Sequence, residues 1–296
     1  MNTLINLDDI QRRYAENPEP QEVTQTRERI TEAFSQLQFI EEGHQYFLPQ
    51  PDGTKVELPS VSSVVEQWVP QINWDEKCEQ KAKKENMPKE DLQRLWHEKN
   101  IVSTSCGHKT HFFGENLMNL FIGRENKTRQ NLPFQYTPDR YIIPYSPKEW
   151  AVNQYYMDIL ANPNVFPVMP EAMIYTNLND TFRLKRPYAG TFDILMAYRM
   201  NGEIQYAIHD FKTNADLYKD YARSRGVMML PPFDGIGLYD EPLSHYAIQL
   251  SLYSLGLMQL GIKPVDRVLI WLKDNGQYEK VRVPDLTDTL LNLLQK

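Results

Sequence analysis

Asp193, Asp210 and Lys212 fall within YAGTFDILMAYRMNGEIQYAIHDFKTN, the stretch from Tyr188 to Asn214. Inside it, Asn201-Gly202 is a strong hairpin signal, because both turn positions of a type I′ turn need positive φ. Runs rich in β-branched and aromatic residues flank the turn and predict strands at about 189–199 and 203–212. A two-residue loop then sets Asp193 opposite Asp210, with Cβ atoms about 5 Å apart. Lys212 lies two residues beyond Asp210 and emerges on the same face. Two carboxylates and one ammonium converge near the open end of the hairpin.

Opposed like charges destabilise a strand pair, and two close carboxylates force one pKa upward. A divalent cation removes that conflict, and hard oxygen ligands suit magnesium or manganese. The plainer alternative is a salt-bridge trio at a solvated strand end. An acid-x-Lys tripeptide means little by itself, since Asp75–Lys77, Glu79–Lys81 and Glu125–Lys127 also fit it. Only the copy at Asp210 sits on an expected strand opposite another aspartate.

The elements that must position this group follow in chain order. Residues 1–43 are polar, with a helical pattern around Thr24–Leu37, and are expected to form a peripheral helical extension. HQYFLPQPDGTKVEL, from His44 to Leu58, alternates and turns at Pro51-Asp52-Gly53, as a hairpin does. Ser60, Ser62 or Ser63 can cap a helix running toward Trp68. The charged segment at about 75–100 reads as a helical insertion, either a solvated face or an arch whose lysines meet phosphates. In Ser103 to Phe121, Phe113, Leu117 and Leu120 have core-facing helical spacing, with His111 and Glu115 together on one face. Residues 122–148 lack periodicity and read as a long loop, and Trp150–Leu160 as a helix.

Val168–Tyr175 reads as a strand leading to the hairpin, with Glu171 near its start. Arg183, Lys185 and Arg186 are either an exposed basic turn or phosphate contacts. Tyr246–Leu260 has the clearest helical pattern, closed by Gly261 and Pro264, and puts Gln249 and Tyr253 on one face. Strands at Arg267–Leu272 and Tyr278–Val283 flank a turn at Asp274-Asn275-Gly276. Strict alternation predicts Phe192, Ile194 and Met196 on one face of the sheet, and Leu195, Ile204 and Ile208 on the other.

The pieces GHKTHFFGE, Pro170-Glu171, GTFD, DFKT and QLSLY, in that order, resemble the PD-(D/E)xK nuclease superfamily in its RecB-like exonuclease branch. HQYFLP followed by LPSVSSVV, and MMLPPF before HYAIQLSLY, resemble phage-type and mitochondrial genome-maintenance exonucleases. The resemblance covers roughly residues 44–283, expected as a nuclease domain over 44–296. It implies an α/β fold, a mixed central β-sheet flanked by helices with a restriction-endonuclease-like core, here with N-terminal helical and hairpin additions.

For the site, the resemblance implies that Asp193 and Asp210 hold Mg2+ or Mn2+, with the Phe211 carbonyl and His111 as further ligands. Lys212 would position or activate the attacking water, Glu171 would support the metal or the water, and Gln249 and Tyr253 would orient Lys212 and the phosphate. Asp210 stands where glutamate is commoner, a shorter arm of the same charge. The four cysteines of iron–sulfur relatives are missing, so no iron–sulfur cluster is expected.

Composition sets the remaining bounds. The chain has 296 residues, a net charge of −7 and two cysteines, Cys78 and Cys106, without metal-ligand spacing. No apolar run spans a membrane and the N-terminus lacks a secretory pattern. These features point to a reduced cytoplasm, that of a bacterial host if the chain is phage-encoded. The negative charge argues against a broad electropositive surface. The expected activity is a metal-dependent DNA exonuclease hydrolysing phosphodiester bonds at single-stranded or free ends, in recombination, repair or replication, with a protein partner in one of those processes. A structure- or site-specific endonuclease of the same fold, an inactive DNA-binding subunit, and a structural protein with coincidental motifs are the competing readings.

Overall fold

The computed structural model describes residues 3–124, 135–179 and 183–295. Its elements in order are α1 (Leu7–Glu16), α2 (Gln21–Ala33), β1 (Gln38–Ile40), β2 (Gln45–Pro49), β3 (Lys55–Leu58), α3 (Val61–Glu66), α4 (Trp74–Glu85), α5 (Lys89–Phe121) and α6 (Pro147–Ala161). There follow β4 (Val165–Tyr175), β5 (Ala189–Met200), β6 (Glu203–Lys212), α7 (Tyr221–Ser224), α8 (Pro242–Met258), β7 (Pro264–Leu272), β8 (Tyr278–Arg282) and α9 (Thr287–Gln295).

The centre is a mixed sheet in the order β4-β5-β6-β7-β8, in which only the β6–β7 pair is parallel. A parallel pair needs a long crossover, and α8 supplies the helix that makes it. The β5–β6 hairpin turns at Asn201 and Gly202, with φ of 53° and 85°, and pairs Met200 with Glu203. The pairing holds inward to Ile194 and His209, so the register expected from the turn is the observed one.

Helices cover both faces of this sheet. One core cluster joins Leu195 and Ile208 to Ile248 and Leu252 of α8, Val61 and Val64 of α3, Ile30 of α2 and Leu290 of α9. The other joins Ile194, Met196 and Phe211 to Phe113 and Leu117 of α5, Tyr155 and Tyr156 of α6, and Ile5 and Ile10. Each such side chain contributes about 1.5–3 kcal/mol when fully buried. Phe192 belongs to the first cluster, not with Ile194 and Met196 as strict alternation predicted. The alternation breaks at Asp193, which stands between the paired residues on β5 and bonds through its side chain instead.

Several elements differ from the sequence expectation. The N-terminal region is not peripheral to the packing: it forms two helices, with Val23 and Ile30 in one core cluster and Ile10 in the other. Their sparse apolar positions hid this burial among polar residues. The charged segment divides between α4, which ends before the left-handed Asn86, and the first part of α5, a continuous helix of 33 residues that runs on through His111. The first half of α5 is solvated apart from Leu92, and its second half is almost wholly buried from Thr110 to Phe121, so no single periodicity runs through it. Helix α8 begins at Pro242, four residues earlier than expected, with proline at the first-turn position it favours. A short strand, β1, joins β2 and β3 in a second sheet. Ser60 is the cap among the three serines: its Oγ accepts from the Ser63 N–H at 3.1 Å. Residues 125–134 of the expected loop over 122–148, and Glu125–Lys127 with them, lie outside the described residues, and α6 begins within its last residues at Pro147. No helix among the described residues is long and apolar enough to cross a membrane.

Gly114 marks where α5 meets the hairpin. A Cβ there would stand 2.5 Å from Cε2 of the buried Phe211 ring. Alanine normally stabilises a helix interior by about 1 kcal/mol over glycine, but overpacking a tight core costs about 1–3 kcal/mol. Gly114→Ala is expected to lower stability by about 1–2 kcal/mol in chemical unfolding, the clash outweighing the helix gain. A stabilised variant would show that α5 and β6 do not meet this closely.

Candidate metal centre

One cleft of about 730 Å³ collects His111 from α5, Glu171 from β4, Asp193 from β5, Asp210 and Lys212 from β6, and Gln249 and Tyr253 from α8. These are the seven side chains the sequence singled out, drawn from five elements. The close approach of the elements depends on Gly190: a Cβ there would stand 2.7 Å from Val61 and 2.8 Å from Tyr253.

At the centre is Asp193. Its Oδ2 lies 3.2 Å from His111 Nδ1 and accepts the Phe211 N–H at 2.7 Å. That side-chain bond ties the start of β5 to the end of β6. Glu171 sits inside β4 rather than near its start, with φ of 44° in the left-handed region. Such a backbone costs about 1–3 kcal/mol for a residue with a Cβ and is typical of functional positions. Pro170 and Ala172 stay in the ladder on either side, while Glu171 leaves it.

His111, Glu171 and Asp193 each offer one ligand atom, and these atoms lie within 4.8 Å of one another. Asp210, expected as a ligand, is outside this group and engaged elsewhere: its Oδ2 is 2.5 Å from Lys212 Nζ. Phe211 is fixed by its N–H on Asp193 and by its ring against His111, centroids 6.0 Å apart. Gln249 donates to the Tyr253 hydroxyl at 3.1 Å. Lys212 Nζ also lies 4.2 Å from the centroid of the Tyr246 ring. The sequence reading missed Tyr246, although it precedes Gln249 by three residues and Tyr253 by seven, on the same face of α8.

The charges are closely balanced. Burial pushes the Asp210 carboxyl up, the neighbouring Asp193 adds to this, and the group reaches about 6 despite Lys212. Burial opposes protonation of His111, but Asp193 beside it prevails and raises the imidazole to about 9. Burial would raise Asp193, but His111 and Lys212 hold it below the usual range. Lys212 is raised, Asp210 and Tyr246 overcoming the effect of burial. Two cations thus face three carboxylates, and the excess negative charge suits a divalent ion. A mixed set of one imidazole and two carboxylates fits manganese better than an all-oxygen set would, while still admitting magnesium.

Other expected contacts fall outside this cleft. Arg183 and Lys185 line a separate pocket with Asn177, Leu184 and Pro187. Lys77, Lys81 and Lys84 of the charged segment are not among the residues lining the cleft. Lys81 pairs with Glu85 at 3.6 Å and lies over Trp96, and Lys77 lies over Trp74. Buried His209, next to Asp210, has burial pushing it down to about 3, and bonds Tyr155 and Tyr198 at 2.8 and 3.0 Å. It is a neutral anchor for β6.

No protein-family model matches this chain, and no curated protein does. What the cleft can do follows from its own residues.

Without divalent ions, stability is expected to fall in two stages as pH rises. From about 4 to 6, Asp210 must ionise in a site that favours its neutral form, a loss that Asp210→Asn should remove. From about 6.5 to 9, His111 loses the proton that binds it to Asp193, a loss that His111→Ala should remove. His111 keeps 30% of its side chain exposed, so solvent softens the second stage. Urea unfolding across this range is the measurement, and stability that is level or rising through it would contradict the charge assignment.

Proposed function

We propose that this protein is a divalent-cation-dependent nuclease that hydrolyses phosphodiester bonds in DNA, acting as an exonuclease on single-stranded ends. The observation that carries the reading is the meeting of Asp193, Asp210 and Lys212 with His111 and Glu171 in one cleft. The order of these residues along the chain, each in the motif that resembles the RecB-like branch, supports it further.

His111, Glu171 and Asp193 would hold the ion, with Asp210 completing the set if Lys212 moves to the substrate. The Phe211 carbonyl remains a further ligand on the strength of the resemblance. A bound divalent cation supplies Lewis-acid polarisation of the phosphate and lowers the pKa of its water. Lys212, held protonated by Asp210 and the Tyr246 ring, would carry its positive charge to the developing phosphorane rather than act as a proton acceptor. Tyr253 stays neutral, because burial raises its hydroxyl well above the ordinary value, and with Gln249 offers hydrogen bonds beside that charge.

The preference for ends rests on the shape of the entrance. Ser103, Thr104, Gly107 and His108 of α5 form one wall, and Phe39, His44 and Tyr46 of the β1–β2 region line the same cleft. A cleft lined by residues of both these regions would admit a strand most easily from an end.

Asp193→Asn, Asp210→Asn and Lys212→Ala are each expected to lower cleavage at least about a hundredfold, a barrier change of about 2.7 kcal/mol, while remaining folded. Near-normal cleavage by folded Asp210→Asn would end the nuclease reading. Incubation of end-labelled linear and closed circular single strands with magnesium or manganese tests the mode. Linear strands should be degraded while circles of equal sequence survive; circles cut as fast would make the protein an endonuclease.

A further inference from the structure

The cleft is poorly supplied with positive charge for a nucleic-acid site. Among the described residues lining it, Lys212 is the only lysine or arginine, and the chain as a whole carries −7. Attraction between phosphates and lysines ordinarily supplies most non-specific affinity, so this cleft must draw on something else.

Phe39, His44 and Tyr46 line it and touch one another. The His44 ring stands edge-on to Phe39 at 5.0 Å and 81°, and to Tyr46 at 5.6 Å and 88°. Phe39 and Tyr46 lie 4.9 Å apart. Tyr46 is buried, whereas His44 is exposed. The loop between β1 and β2 holds His44 at φ of 52°, directly after Gly43 at 85°, a conformation that non-glycine residues seldom adopt. The Tyr46 hydroxyl is 3.0 Å from Thr191 Oγ1, two residues before Asp193, so the ring cluster is tied to the strand that carries the central carboxylate. The same cavity is lined by the small side chains of Ser103 and Thr104 together with Gly107 of α5. Small residues in the lining leave room for a flat ring in the cleft that holds the aromatic cluster.

We propose that the exposed ring of His44, backed by Phe39 and the buried Tyr46, forms a nucleobase-stacking subsite that takes one unpaired base of the strand whose phosphate lies at the metal centre. This inference rests on the nuclease reading and adds the source of the single-strand preference. A base held in a duplex already has its faces covered by neighbours and cannot present one to these rings. Stacking on aromatic side chains also tolerates any base, so the subsite selects for strandedness and not for sequence.

The experiment measures binding of labelled single-stranded oligonucleotides by anisotropy in the Asp210→Asn background with magnesium, so that the strand survives. A series carries one abasic nucleotide at successive positions from each end. One position is expected to weaken binding roughly 5- to 150-fold, the equivalent of about 1–3 kcal/mol for one stacked base. His44→Asn, which removes the ring but suits a left-handed backbone, should erase at least fivefold of that sensitivity and bind the abasic strand as its parent does. His44→Phe should retain it. Replacing the sensitive base with 2-aminopurine should give quenched fluorescence that His44→Asn restores. Sensitivity or quenching unchanged in His44→Asn would overturn the subsite and leave the nuclease reading standing. Failure of the parent to bind any of the strands would overturn both.

Discussion

The cleft is dominated by the crowding of Asp193, Asp210 and Glu171 in a poorly solvated space. Three carboxylates repel one another there, and burial penalises each charge. The chain opposes this with His111 on one side and Lys212 on the other, each within 3.2 Å of a carboxylate. The surrounding packing keeps those two cations in place. Gly114 lets α5 close on Phe211 so that His111 reaches Asp193, and Gly190 lets α8 and α3 close on β5. The hairpin is held in turn by the Asp193 bond to the Phe211 amide and by His209 between two tyrosines.

The division of work between the two cations follows from this arrangement. His111 is partly exposed and shares its carboxylate with the candidate ion group, so it can exchange its proton for a metal bond. Lys212 has two partners, a carboxylate and an aromatic face, and neither is in that group. Its charge therefore does not depend on whether that group holds an ion.

Much of the site was legible because its key signals are local. Asn201-Gly202 determines the turn, the turn determines the register, and the register brings Asp193 beside Asp210 without reference to any other element. Gln249 and Tyr253 needed only helical spacing. What the sequence could not show depends on distant contacts. Glu171 takes up a left-handed backbone in mid-strand, and no turn residue announces it. The union of the second part of the charged segment with the His111 helix was hidden because one half of α5 meets solvent and the other the core. The N-terminal helices bury few side chains, so their patterns read as polar. Asp210 leaves the ligand group for Lys212 through side-chain geometry that strand alternation does not determine. The aromatic contacts of the β1–β2 loop join residues on two strands, one of which was too short to recognise.

The central claim is that His111, Glu171 and Asp193 together bind a divalent ion. Calorimetric titration of manganese into the protein near neutral pH, repeated in buffers of different ionisation enthalpy, tests it most directly. Saturable binding of about one ion per chain is predicted, with release of a proton as His111 becomes a ligand, and both should be lost in Asp193→Asn. The absence of saturable binding, or binding of equal strength and proton release in Asp193→Asn, would contradict the account.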